Sequence, residues 1–139
     1  MNASHQYISL LRRGIALVAI VFGLATLIAG GGVLGGSDPG YTVLLPLLIF
    51  NTVMGFAYVA AGVTIWRGLA AGRYVAATIF LVNLLVLRGV GYLYATGSGV
   101  AIDSVRAMVL RTVVWLGVWL GVVWTSRREH ARASGFGSR

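Results

Sequence analysis

The chain has 139 residues, of which 58% are hydrophobic and 10% charged, with a net charge of +8 and no cysteine. Soluble domains carry about 45 to 50% apolar and about 25% charged residues, so this balance excludes a soluble enzyme and marks an integral membrane protein. The lack of thiols excludes disulfides, thiolate metal sites, iron–sulfur clusters and a cysteine nucleophile.

Residues 1–9 read as a short polar lead-in, and a first span is predicted over about residues 10–34. Its charge-free stretch, Gly14 to Ser37, outruns a signal peptide's apolar region of about 7 to 15 residues, so it reads as a retained helix. The segment GGGVLGGSDPG ends this span and forms an outer loop, through glycine permissiveness and proline restriction. A second span follows over about residues 41–66, with Pro46 in its first turns, where a missing N–H does least harm. The connection RGLAAGR is short, making spans two and three antiparallel neighbours. Span three is predicted over about residues 74–95 and TGSGVAI is the second outer loop. Span four covers about residues 104–125, with Ser104 as N-cap and Asp103 just before it. The layout is thus a transmembrane domain over 1–126 and a basic, mobile cytoplasmic tail over 127–139.

All eleven basic residues are arginines. Arg12, Arg13, Arg67, Arg73, Arg127, Arg128, Arg132 and Arg139 fall at the start, the second connection and the end, which an even number of spans places on one side. The positive-inside rule makes that side cytoplasmic, with Asp38 and Asp103 in the outer loops. Trp66, Tyr74 and Trp124 then mark the inner interface and Tyr41, Tyr92 and Tyr94 the outer one. The expected fold is an all-α, up-down-up-down bundle of four transmembrane helices with both termini cytoplasmic.

Two arginines enter the membrane. The charge-free runs from Tyr74 to Leu87 and from Thr112 to Ser126 reach about 21 and 23 Å, against about 30 Å of hydrocarbon, so the flanking Arg88 and Arg111 must complete them. Measured from the outer helix ends, Arg88 and Arg111 lie about 11 Å deep, Thr26 about 12 Å and Asn51 about 14 Å. With Tyr92 one turn above Arg88 and Arg106 above Arg111, they form an expected ligand-binding layer in the outer third, which Asn83 extends inward. The alternative is snorkelling to the interface. Helix dipoles separate the arginines: Arg88 sits near a C-terminus that favours a cation, whereas Arg106 and Arg111 sit near an N-terminus that does not. Span four therefore calls for a negative partner, either Asp103, Asp38 or an external anion. A phospholipid or quinone headgroup on an apolar body fits such a layer.

Other patterns have plainer readings. Gly30 to Gly35 matches G-x-G-x-x-G, but no βαβ unit surrounds it. Gly117 and Gly121 form a G-x-x-x-G expected to pack within the bundle, and Trp115 and Trp119 read as packing or lipid-facing. His5 and His130 lie outside the spans, which leaves no haem or metal site. No span contains Asp or Glu, so a carboxylate-driven antiporter is not expected. No nucleophile–base pair is present, so the chain is not expected to be an enzyme by itself.

The run GFAYVAAGVTIWRGLAAGRYVAATIFLVNLL, two small-residue-rich spans around an arginine-flanked turn, followed by LRGVGYLYATGSG, resembles the middle of DoxX-like four-helix bacterial membrane proteins. The resemblance implies a small inner-membrane subunit, in some members associated with quinone-linked oxidoreductases. The expected function is a non-catalytic, multi-pass accessory or binding subunit of the bacterial inner (plasma) membrane, whose polar layer holds a lipid or quinone headgroup or docks a partner. That partner is a membrane complex or a second copy of the chain. No metal, covalent cofactor or nucleic acid is expected. The alternative is an oligomeric small-molecule or anion transporter or channel.

Overall fold

The computed structural model describes residues 3–68 and 70–135, with the side chains of 3–5, 130 and 132–135 outside the description. The side chains of His5, His130 and Arg132, and all of Arg139, therefore lie outside the described residues. Four helices make up the architecture: α1 (Ala3–Leu34), α2 (Leu45–Trp66), α3 (Gly72–Ala95) and α4 (Ile102–Gly135). Each is long and apolar enough to cross a membrane, and no strand occurs among the described residues.

The helix ends follow local chemistry, and several differ from the sequence expectation. Helix α1 starts at Ala3 rather than near Leu10, because the lead-in holds no glycine or proline and Ile8 is buried. Helix α2 starts at Leu45 rather than Tyr41, with Pro46 in its first turn and Leu44 extended at φ −79° and ψ 104°. Proline favours the first helical positions and the chain nucleates there. Helix α4 starts at Ile102, so Ser104 is no N-cap but a buried residue of the first turn. It also runs on to Gly135, through the segment expected to be a mobile tail. No glycine or proline interrupts that segment before Gly135, and Glu129 Oε1 is held 2.8 Å from Arg12 Nη1. Helices α1 and α3 stop by the same device. Gly36 and Gly97 adopt φ of 102° and 72°, and the N–H groups of Ser37 and Ser98 donate back to the carbonyls of Gly32 and Leu93, a Schellman pattern that glycine permits.

Lipid tails are as apolar as leucine, so helices in a membrane associate by close approach and polar contacts rather than by burying hydrophobic surface. The α1–α2 seam shows this directly. Gly23 faces Val59, Gly55 faces Leu27 and Gly62 faces Ile20, the numbers rising on one helix as they fall on the other, so the two run antiparallel. A Cβ at Gly23 would stand 2.8 Å from the Val59 nitrogen, and one at Gly62 would stand 3.0 Å from the Ala16 oxygen. The backbones are in contact there. The G-x-x-x-G of α4 is divided: Gly121 packs on Ile15 of α1, while Gly117 has nothing within 4 Å and is exposed. A four-residue spacing places two glycines on nearby turns, but the α1–α4 contact reaches only Gly121.

At the centre Tyr58 and Trp115 are fully buried with ring centroids 4.8 Å apart, and the Tyr58 hydroxyl donates to Asn83 Oδ1 at 2.8 Å. Large apolar side chains such as Phe56, Leu85 and Ile28 face outward. Interhelical hydrogen bonds in membranes average about 0.6 and reach about 1.7 kcal/mol. Tyr58→Phe, which removes the hydroxyl and keeps the ring, is expected to lower stability within that range in an SDS unfolding titration.

Candidate functional site

Helix periodicity brings two of the expected polar residues to one place. On α4, Ser104, Ala107, Arg111 and Trp115 follow the three- and four-residue spacing of a single face. On α2, Leu47, Asn51, Gly55 and Tyr58 form the buried face. The ends of these faces nearest Leu45 and Ile102, with Gly30 of α1 and Tyr41 of the loop before α2, line a cavity of about 190 Å³ on whose wall Arg111 and Asn51 both lie. A Cβ at Gly30 would run into Thr52 of α2, so the glycine is required by the close approach of α1 and α2 at the cavity's edge.

Two polar atoms of residues on this cavity lack partners. Arg111 Nη1 donates to the Ala107 carbonyl of its own helix at 3.1 Å, but its Nε is buried without a partner, as is Asn51 Oδ1. The chain has three acidic residues. Asp103 lies 3.5 Å from Arg106, Glu129 pairs with Arg12, and Asp38 Oδ1 accepts from the Gly40 N–H at 2.8 Å. None is ion-paired with Arg111 among the described residues. A half-buried cation with an unused donor, next to a buried carbonyl with no donor, costs several kcal/mol unless something supplies the complement. The dipole expectation for α4 is thus met for Arg106 by Asp103 and unmet for Arg111.

The other expected members of the layer sit elsewhere. Arg88 is exposed and Tyr92 is 70% exposed, and α3 supplies no wall to the cavity. Depth along a helix does not fix the angle around it. Arg88 lies five residues beyond the buried Asn83, about 140° away around the axis at about 100° per residue, and Tyr92 shares its outward face. Arg106 is largely exposed beside Asp103. Thr26 is buried but satisfied, its hydroxyl donating to the Phe22 carbonyl at 2.8 Å.

Two participants were not anticipated for this site, Ser104 and Tyr41, both of which line the cavity. The seven-residue spacing Ser104–Arg111 is the signal that finds the first. Below the cavity the polar interior continues through Tyr58 to Asn83, whose Nδ2 is unpartnered, as is Trp115 Nε1.

At the opposite end of the bundle, guanidinium groups lie over aromatic rings. Arg13 is 5.8 Å from the Trp66 ring centre, Arg73 4.6 Å from that of Tyr74 and Arg128 4.6 Å from that of Trp124. No family model, curated protein or solved structure matches this chain.

Proposed function

We propose that this chain is a non-catalytic, multi-pass accessory or binding subunit of a bacterial inner membrane, whose outer pocket holds the polar headgroup of an amphiphile, a lipid or a quinone. The observation that carries this is the pairing, on one cavity, of Arg111 without an acidic partner and Asn51 Oδ1 without a donor. Native mass spectrometry of protein extracted in a mild detergent is expected to show a retained mass in the range of a lipid or quinone. Bare protein throughout would remove the reading. The DoxX-like resemblance agrees with it and points to a quinone-linked complex as the setting.

The reading includes an up-down-up-down topology with both termini cytoplasmic. It is supported by the arginine–aromatic contacts at one end, since guanidinium and indole or phenol groups favour the headgroup level and basic residues favour the cytoplasmic side. The chain has no native thiol, so single cysteines report cleanly. Cysteine at Ser98 is expected to react with an impermeant maleimide on intact cells, and cysteine at Ala70 only after permeabilisation. The reverse pattern overturns the orientation.

A further inference from the structure

Four polar side chains stand on the wall of the Arg111 cavity, those of Tyr41, Asn51, Ser104 and Arg111, and the rest of the described wall is apolar. What each can still offer decides the chemistry of an occupant. Arg111 Nε is sealed inside the protein and Nη1 donates to the Ala107 carbonyl at 3.1 Å, so Nη2 and the second hydrogen of Nη1 remain. Asn51 has its Oδ1 sealed but not its Nδ2, and that amide nitrogen bonds nothing among the described residues. Guanidinium and amide nitrogens only donate, whereas the Tyr41 and Ser104 hydroxyls donate or accept as required. Among the described residues, no side-chain carboxylate or carbonyl oxygen is open to this cavity. The wall is therefore complementary to an acceptor. A ligand built of donors would have only the two hydroxyls to bond and would set its own hydrogens against Arg111 Nη2 and Asn51 Nδ2.

Charge separates the acceptors that remain. Arg111 is a half-buried cation, and the three carboxylates of the chain are engaged elsewhere, Asp38 with Gly40, Asp103 beside Arg106 and Glu129 with Arg12. A neutral carbonyl, such as that of an oxidised quinone, satisfies the hydrogen bonds and leaves this charge uncompensated. An oxyanion does both, and hydrogen bonds between ionised groups are roughly twice as strong as neutral ones. The planar guanidinium fork also matches carboxylate and phosphate oxygens in geometry. Size sets a limit on the occupant. A cavity of about 190 Å³ equals the space of about six water molecules at about 30 Å³ each. It admits a carboxylate or phosphate with a few carbons and leaves any acyl chain outside.

We infer that this pocket selects a donor-free oxyanion, a carboxylate or a phosphodiester seated on Arg111 and Asn51 Nδ2, over neutral acceptors such as a quinone. The inference rests on the headgroup reading above and narrows it. Its test is isothermal titration calorimetry of the full chain, stripped of lipid in a non-ionic detergent, with laurate, dodecyl methyl phosphate, methyl laurate, a ubiquinone, and the chainless anions acetate and dimethyl phosphate. Laurate and dodecyl methyl phosphate are expected to bind about tenfold tighter than methyl laurate and the quinone. Arg111→Gln, which keeps a donor and removes the charge, is expected to erase that ratio, and Arg88→Gln, on the exposed face of α3, to leave it unchanged. Equal binding of laurate and its ester, or a quinone that binds tighter than both anions, overturns the inference and leaves the proposed function standing. A ratio lost equally in Arg88→Gln assigns the preference to surface charge and also overturns the inference. The chainless anions distinguish the two sources of an oxyanion. Their failure to compete with laurate upholds a lipid-borne group, whereas competition at equal concentration upholds the oxyanion and removes the amphiphile. Binding of none of the probes removes both readings.

Discussion

Gly23→Leu is expected to drive α1 away from α2 and lower stability by about 3 kcal/mol, toward the upper end of the usual overpacking range. The reason is the identity of what the new side chain meets. A Cβ at Gly23 stands 2.8 Å from the Val59 backbone nitrogen and 2.9 Å from the Gly55 oxygen, and backbone, unlike a flexible side chain, cannot turn aside. Gly117→Leu is the control, because that glycine faces outward with nothing within 4 Å and is expected to change stability by less than about 0.5 kcal/mol. Both are read from denaturation midpoints in SDS. The same seam brings Gly30 of α1 against Thr52 of α2 at the edge of the cavity, so Gly23→Leu is expected to reduce retention of the bound amphiphile as well. Equal midpoints for the two variants would remove the α1–α2 backbone contact as the organising feature.

Arg111→Leu is expected to have opposite effects on the empty and the loaded protein. In lipid-stripped detergent it removes a half-buried cation that has no acidic partner, and replacing such a charge by an apolar residue raises stability in favourable cases. Its melting temperature should rise. Ligand retention should fall about ten- to a hundredfold, because hydrogen bonds to charged groups contribute about 1.5 to 3 kcal/mol and each 1.4 kcal/mol is tenfold in affinity. Arg88→Leu removes an exposed arginine and is expected to leave retention unchanged, as is Arg106→Leu. A variant that loses stability in both states would make Arg111 a structural residue. A stabilising change that abolishes function is the behaviour of a binding site, not of a packing residue.

Much of the architecture was legible because the membrane imposes its length scale on the sequence. The apolar runs gave four helices, and α3 begins within two residues of its expected start and ends at Ala95 as expected. The glycine-rich segments after α1 and α3 end those helices through positive-φ residues. The ends outside the hydrocarbon were less legible, since polar residues such as those from Arg127 to Ala133 form helix as readily as coil until a tertiary contact, here Arg12 with Glu129, decides. The polar layer was half legible for a geometric reason. Counting residues gives depth, and Asn51 and Arg111 do share a cavity. Counting does not give the azimuth unless a buried residue is known on the same helix. Once Asn83 is seen to be buried, Arg88 and Tyr92 are placed on the outward side of α3. The small-residue seam of α1 and α2 went unread because Gly23, Gly55 and Gly62 carry no tight repeat of their own. Their partners lie on the opposing helix.

A high-resolution structure of the protein carried into nanodiscs with its native lipids tests the central claim most directly. The expected result is a bound molecule at the cavity between α1, α2 and α4, with its polar end within hydrogen-bond distance of the Arg111 guanidinium and the Asn51 side chain. A cavity holding only water, with Arg111 turned out to the interface, or a headgroup seated on Arg88 instead, would contradict it.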